Sequence, residues 1–133
     1  MDLSALDTRK AADEGAKLQL RHPVEDSPLT KDDGSPITIT LVGSDSATFK
    51  RAMQVQADRR LKSNNRRSIS MQSIEDDAID LLSAATIGWD GIVVDGEELP
   101  FSNENAKALY ERFPWIREQV NAFIGERANF LKA

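Results

Sequence analysis

The sequence predicts an α+β fold, with an N-terminal β-hairpin, a mainly α-helical body and a second small irregular hairpin. Three observations lead there. Lys17–His22 and Ile37–Val42 alternate polar and apolar residues with the period of half-buried strands. Downstream segments instead repeat apolar residues at helical spacing behind capping side chains. Between them, Trp89–Phe101 carries two Asp-Gly turn signals around a short β-branched run.

Taken in order, Asp7 offers an N-cap to a short helix from Thr8 to Glu14, and Gly15 stops it. Pro23 ends the first strand. Val24–Pro36, rich in Pro, Asp, Ser, Gly and Lys, forms the connection across which the two strands pair antiparallel. Gly43-Ser44-Asp45-Ser46 turns the chain and supplies N-caps for a surface helix, Ala47 to Leu61, with Phe49, Ala52, Met53 and Gln56 on one side. The next helix is expected to open at Ser73, with Glu75 and Asp76 in its acidic first turn. Its apolar stripe is Ile74, Ala78, Leu81, Leu82 and Ala85, and Gly88 closes it. Ser102 and Asn103 cap a helix with Ala106, Leu109, Tyr110 and Phe113 on its apolar face. Pro114 breaks that helix and fits the first turn of another. The last helix, from about Trp115, places Ile116, Val120, Phe123, Ile124 and Leu131 on one face. With no repeat and no dividing linker, residues 1–133 read as a single domain.

Composition narrows the function classes. The chain has 133 residues, 40% hydrophobic and 29% charged, which suits a globular protein. It contains no cysteine, which removes disulfides, thiolate nucleophiles and cysteine zinc sites together. The first residues lack the pattern of a secretory signal, and no apolar run approaches the roughly 20 residues that span a bilayer, so a soluble protein without membrane contact is expected. The net charge is −5, unevenly spread. Residues 1–68 hold 12 basic and 10 acidic side chains, and residues 69–133 hold 5 and 12. That polarity is either an accident of surface composition or suited to head-to-tail self-association or a partner of complementary sign.

No motif announces catalysis, and no cofactor or metal is expected. His22 is the only histidine and stands before Pro23 without a Gly-x-Ser-x-Gly elbow, so it reads as a surface turn residue. Glu75, Asp76, Asp77 and Asp80 cluster without the spacing of a calcium loop and suit the positive end of a helix. No glycine-rich phosphate cradle occurs. Arg59, Arg60, Lys62, Arg66 and Arg67 form a basic stretch without interleaved aromatics, which favours a solvated helix end or an acidic protein contact over nucleic acid. Trp89, Phe101, Trp115 and Phe130 lie near turns and helix ends, where aromatics usually complete the core and an exposed one anchors an interface.

Several segments together resemble a known family. They are Asp13–Pro23, Ile37–Ser46, Trp89–Gly91, Leu99–Ser102, Asn103–Phe113, Pro114–Val120 and Ile124–Leu131. They resemble the tail assembly chaperones of long-tailed, siphovirus-type bacteriophages, the family of the lambda G and G-T products, over most of the chain. The resemblance implies a non-enzymatic factor of the host cytoplasm that is not retained in the virion. Such a factor binds and solubilises the tape measure protein, helps recruit tail tube protein, self-associates, and has a frameshifted longer form as a further partner. Trp89, Phe101, Trp115, Phe130 and Leu131 are the expected contact residues, with alanine at Trp115 and Phe130 expected to spare folding and abolish solubilisation. Two other readings stand beside it. One is a virion structural component, such as a head–tail connector or minor tail protein. The other is a small nucleic-acid-binding regulator using the basic stretch.

Overall fold

Local chemistry fixes most element boundaries. The computed structural model describes residues 2–62 and 70–131. After a 3-10 turn at Leu3–Leu6, helix α1 spans Thr8–Glu14, and the Asp7 side chain accepts from the backbone N–H groups of Arg9 and Lys10 as its cap. Strand β1 is Ala16–Gln19 and strand β2 is Thr38–Leu41, paired antiparallel with Leu18 opposite Ile39. The long connection between them is itself hydrogen-bonded. Leu20 N–H donates to Ile37 O, Leu29 N–H to Leu20 O and Ile37 N–H to Leu29 O, at 3.0, 2.8 and 3.1 Å.

Helix α2 spans Ala47–Lys62. The buried Ser46 hydroxyl accepts from Phe49 N–H, and Asp13 of α1 accepts from Ala47 N–H, so its first turn is capped from two directions. Helix α3 is Met71–Ala85, α4 is Asn103–Arg112 and α5 is Pro114–Gly125. The α4–α5 break falls where expected, with Phe113 out of the helical region (φ −119°, ψ 83°) and Pro114 opening the new helix.

Three expectations need correction around α3. Its cap is Ser70, which forms a capping box with Ser73, so Ser73 lies inside the first turn. Its buried residues are Ile79, Leu82, Ser83 and Ala85, while Ile74 remains 50% exposed and Ala78 is exposed. The helix ends at Ala85, short of Gly88, because Thr86–Asp90 becomes strand β3. β3 pairs antiparallel with β2, making a three-stranded sheet in the order β1-β2-β3 with an irregularity at Thr40/Leu41. The N-terminal hairpin therefore gains a third strand from beyond two helices.

The second hairpin is shorter than Trp89–Phe101. It pairs β4, Val93–Val94, with β5, Glu97–Glu98. Its two-residue turn is Asp95-Gly96, both at positive φ (54° and 82°), as a type I′ turn requires. The last helix also stops earlier than expected. After Gly125 the chain makes a 3-10 turn, Arg127–Asn129, so Leu131 is not on a helical face.

Directly opposed residues of an antiparallel sheet share a face. Leu18, Ile39 and Trp89 therefore share one face with Leu41 and Thr86. That face meets the helices in a core of Leu20, Ile39, Leu41, Ile79, Leu82, Leu109, Tyr110, Ile116, Val120 and Ile124, among others. The opposite face carries Lys17, Gln19, Thr40 and Asp90.

Candidate protein-interaction surface

The aromatic residues occupy two environments. Trp89 is half-buried; its indole N–H donates to Leu99 O at 2.8 Å, and Phe101 meets its ring edge-on at a centroid distance of 5.1 Å. Phe101 is 40% exposed, so this pair offers an apolar surface beside the small hairpin. Trp115 is half-buried and meets Phe113 edge-on at 6.3 Å. Phe130 is different: it is 6% exposed and packs edge-on against Phe123 at 5.4 Å. In this position it is a core side chain, and its replacement by alanine removes packing before it removes any contact surface. That corrects the expectation of an alanine pair that spares folding. Leu131 is half-buried beside it. The structure thus does not gather the five side chains into one patch: Trp89 and Phe101 form one pair, and Phe130 belongs to another.

Phe130 is held where it is by the turn before α2. A Cβ at Gly43 would stand 2.9 Å from the Ala12 Cβ and 3.1 Å from the Phe130 ring. Gly43 N–H donates to Ala12 O, and Ser44 N–H to Ile124 O. Arg127 then grips Asp45 with two hydrogen bonds of 2.6 and 3.1 Å. The Arg127 guanidinium, helped by the Thr8 hydroxyl, holds the Asp45 carboxyl down to about 2. No sequence motif marks this junction, which joins residues more than 80 positions apart.

The basic stretch is spread over the junction of α2 and α3. Arg60 pairs with Asp77, and Arg59 lies 4.0 Å from Asp80, while Lys62 is exposed. Arg66 and Arg67 lie outside the described residues. The acidic group expected at a helix start is drawn apart in the same way. Glu75 meets Arg117 of α5 at 3.0 Å, Asp80 meets Lys107 of α4 at 3.3 Å, and Asp76 accepts from Gln72 at 2.9 Å. Among the described residues no cluster of His, Asp or Glu could hold a metal ion. His22 is a turn residue, its Nδ1 accepting from the backbone N–H groups of Val24 and Glu25 at 3.1 Å.

A groove of about 360 Å³ runs between α2 and α3 and ends at the start of α4. On α2 it is lined by Thr48, Arg51, Val55 and Arg59, spaced three or four apart along one helical row, with Ala52 and Gln56 beneath. Asp80, Leu81 and Ala84 form the opposite wall. Asn103 and Lys107 close one end. Ala52 and Leu81 stand out in the sequence as apolar-face residues of their helices, but Val55 and Ala84 do not, and nothing local brings the three distant segments together.

The family model described as YdaY prophage protein matches residues 44–133. The chain belongs to the YdaY prophage protein family. It is therefore a protein of phage origin. No curated protein and no solved structure matched it. The YdaY match takes in α2 through the C-terminal turn, hence the whole groove, the Trp89–Phe101 pair and the Asp45–Arg127 clasp. It leaves out β1 and β2. No helix among the described residues is long and apolar enough to cross a membrane.

Proposed function

We propose that this YdaY-family protein is a tail assembly chaperone, which binds and solubilises the tape measure protein in the host cytoplasm and helps recruit tail tube subunits. One observation carries the reading. The segments of the C-terminal half that resemble tail assembly chaperones are physically interlocked. Trp89 bonds to Leu99 O and packs on Phe101, Ser102 caps α4, and α4 leads through Phe113 into α5. A resemblance scattered along the chain thus maps onto one assembled unit. The phage origin of the family agrees with it.

The surface chemistry fits a binding role. The acidic side chains of α3 are engaged with cations or an amide from their surroundings, so we assign them structural roles and assign the protein no catalytic step. Exposed apolar side chains on α2 and α3, namely Met53, Val55, Leu61, Met71 and Ile74, supply surface that a helical client would cover.

The test is co-expression with the tape measure protein encoded by the same prophage, followed by solubility and co-purification. Soluble tape measure protein recovered with this chain, and a tail particle that lacks the chain, is the expected result. An insoluble tape measure protein, with this chain present in purified tails, would replace the chaperone with a virion component.

A further inference from the structure

The groove between α2, α3 and α4 combines an apolar floor with a cationic rim. Ala52 beneath, and Val55, Leu81 and Ala84 from the lower walls, together supply that floor, and Val55 is 50% exposed. Three cations, Arg51, Arg59 and Lys107, stand around it against a single carboxylate, Asp80. Asp80 is shared by two of them, at 3.3 Å from Lys107 and 4.0 Å from Arg59. Arg51 has no ion pair among the described residues. The rim therefore keeps a positive excess directly beside uncovered apolar surface.

We infer that this groove receives one face of an amphipathic helix from a protein partner, whose apolar stripe is flanked by Asp or Glu. Three features argue for that occupant. The α2 wall is a row of residues three and four apart, the ridge into which side chains of a second helix interdigitate. The floor is aliphatic, so it takes Leu or Ile side chains and offers no aromatic platform on which a nucleic-acid base could stack. The rim cations complement carboxylates placed one turn away from the stripe, which fixes the orientation of the guest and rejects basic helices. Asp80 already demonstrates the arrangement from within the chain, a carboxylate held between Lys107 and Arg59. The identity of the client as a tape measure protein rests on the chaperone reading, whereas the chemistry of the groove does not.

The experiment uses the full chain and a fluorescein-labelled synthetic helical peptide with Leu at i, i+3, i+4 and i+7 and Glu on both flanks. A Lys-flanked peptide and a scrambled peptide are the controls. Anisotropy titration should show saturable binding of the Glu-flanked peptide alone, weakening as salt is raised. Val55→Glu should weaken it at least about tenfold by putting a carboxylate into the apolar floor. Arg51→Glu combined with Lys107→Glu should do the same, with unchanged circular dichroism showing that both variants fold. Equal binding of the Lys-flanked peptide, no saturable binding, or binding untouched by the variants would overturn the inference. So would a dimer of the wild-type chain that Val55→Glu converts to monomer, since the groove would then belong to a second copy. Co-expression separates the two proposals. If the groove variants solubilise tape measure protein as well as wild type, the groove inference fails and the chaperone reading stands. If wild type fails to solubilise it while the Glu-flanked peptide binds, the reverse holds.

Discussion

Helices α2 and α3 are neighbours of nearly equal length, 16 and 15 residues, yet they are held in opposite ways. α3 buries Ile79, Leu82, Ser83 and Ala85 and packs on α4 and α5. α2 buries no residue; it leans on α3 through half-buried Phe49, Ala52 and Gln56. Polar ties along its length include a 2.8 Å hydrogen bond from Gln56 to Asp77 O, the Arg60–Asp77 pair and Arg59 at 4.0 Å from Asp80. Exposed ion pairs contribute little each, about 0–1 kcal/mol. The contrast teaches that one helix of this protein makes the fold and the other is presented by it. A helix secured at its N-terminal junction and only rested along its length keeps its outer rows exposed.

The largest expected effect tests that division directly. Leu82→Ala in α3, at a side chain only 3% exposed, should lower unfolding stability by about 3 kcal/mol. Met53→Ala in α2, at 49% exposure, should change it by less than about 0.5 kcal/mol. Urea denaturation measures both, and similar losses at the two sites would erase the contrast. A smaller effect is expected at the junction that anchors α2. Gly43→Ala forces a methyl against Ala12 and Phe130, which should cost about 1–3 kcal/mol by overpacking. A neutral result would mean that α1 and Phe130 are not tightly seated beside α2.

The smallest effect is the acid response of the same junction. Arg127 lowers the Asp45 carboxyl from its ordinary 3.8 to about 2. A carboxyl depressed on folding adds stability that is fully present above the unfolded value. That share should be lost as pH falls from 3.8 through about 2, and Arg127→Met should flatten the pH dependence of the urea midpoint in that window. An unchanged acid profile in Arg127→Met would show that the clasp contributes nothing to the anchoring of α2.

Legibility in the sequence followed the range of the forces involved. Helices α1 and α4 were readable because Asp7 and Ser102 cap them with contacts two or three residues away. The Asp95-Gly96 turn was readable for the same reason. β3 was not, because Thr86 and Ile87 follow a good helix directly, and their extended state is settled by pairing with β2, some 45 positions earlier in the chain. Ser70 outcompeted Ser73 as a cap because the two exchange hydrogen bonds, a reciprocity that either serine alone would not disclose. Of the interaction surface, the basic character of Arg59 and Arg60 was visible, but the groove beside them depends on Leu81, Ala84 and Lys107 arriving from two other helices. Trp89 and Phe101 stand out in the sequence as aromatics near turns, and only the structure brings them into edge contact. For Phe130 the sequence allows both a core and an interface role, and Gly43 decides for the core by leaving space for the ring.

The middle strand of the sheet lies outside the stretch that the family model matches. β2 ends at Leu41, and the match begins at residue 44. Yet Ile39 and Leu41 are fully buried, and β3 finds its ladder partner only there. An excised piece beginning at residue 44 would carry the groove and the aromatic pair but leave β3, already at the sheet edge, without its ladder partner β2 and the core without its lid. Such a piece invites strand exchange or aggregation. Evolutionary likeness and autonomous folding thus have different borders in this molecule, and any truncation made to isolate the shared part would have to begin before β1.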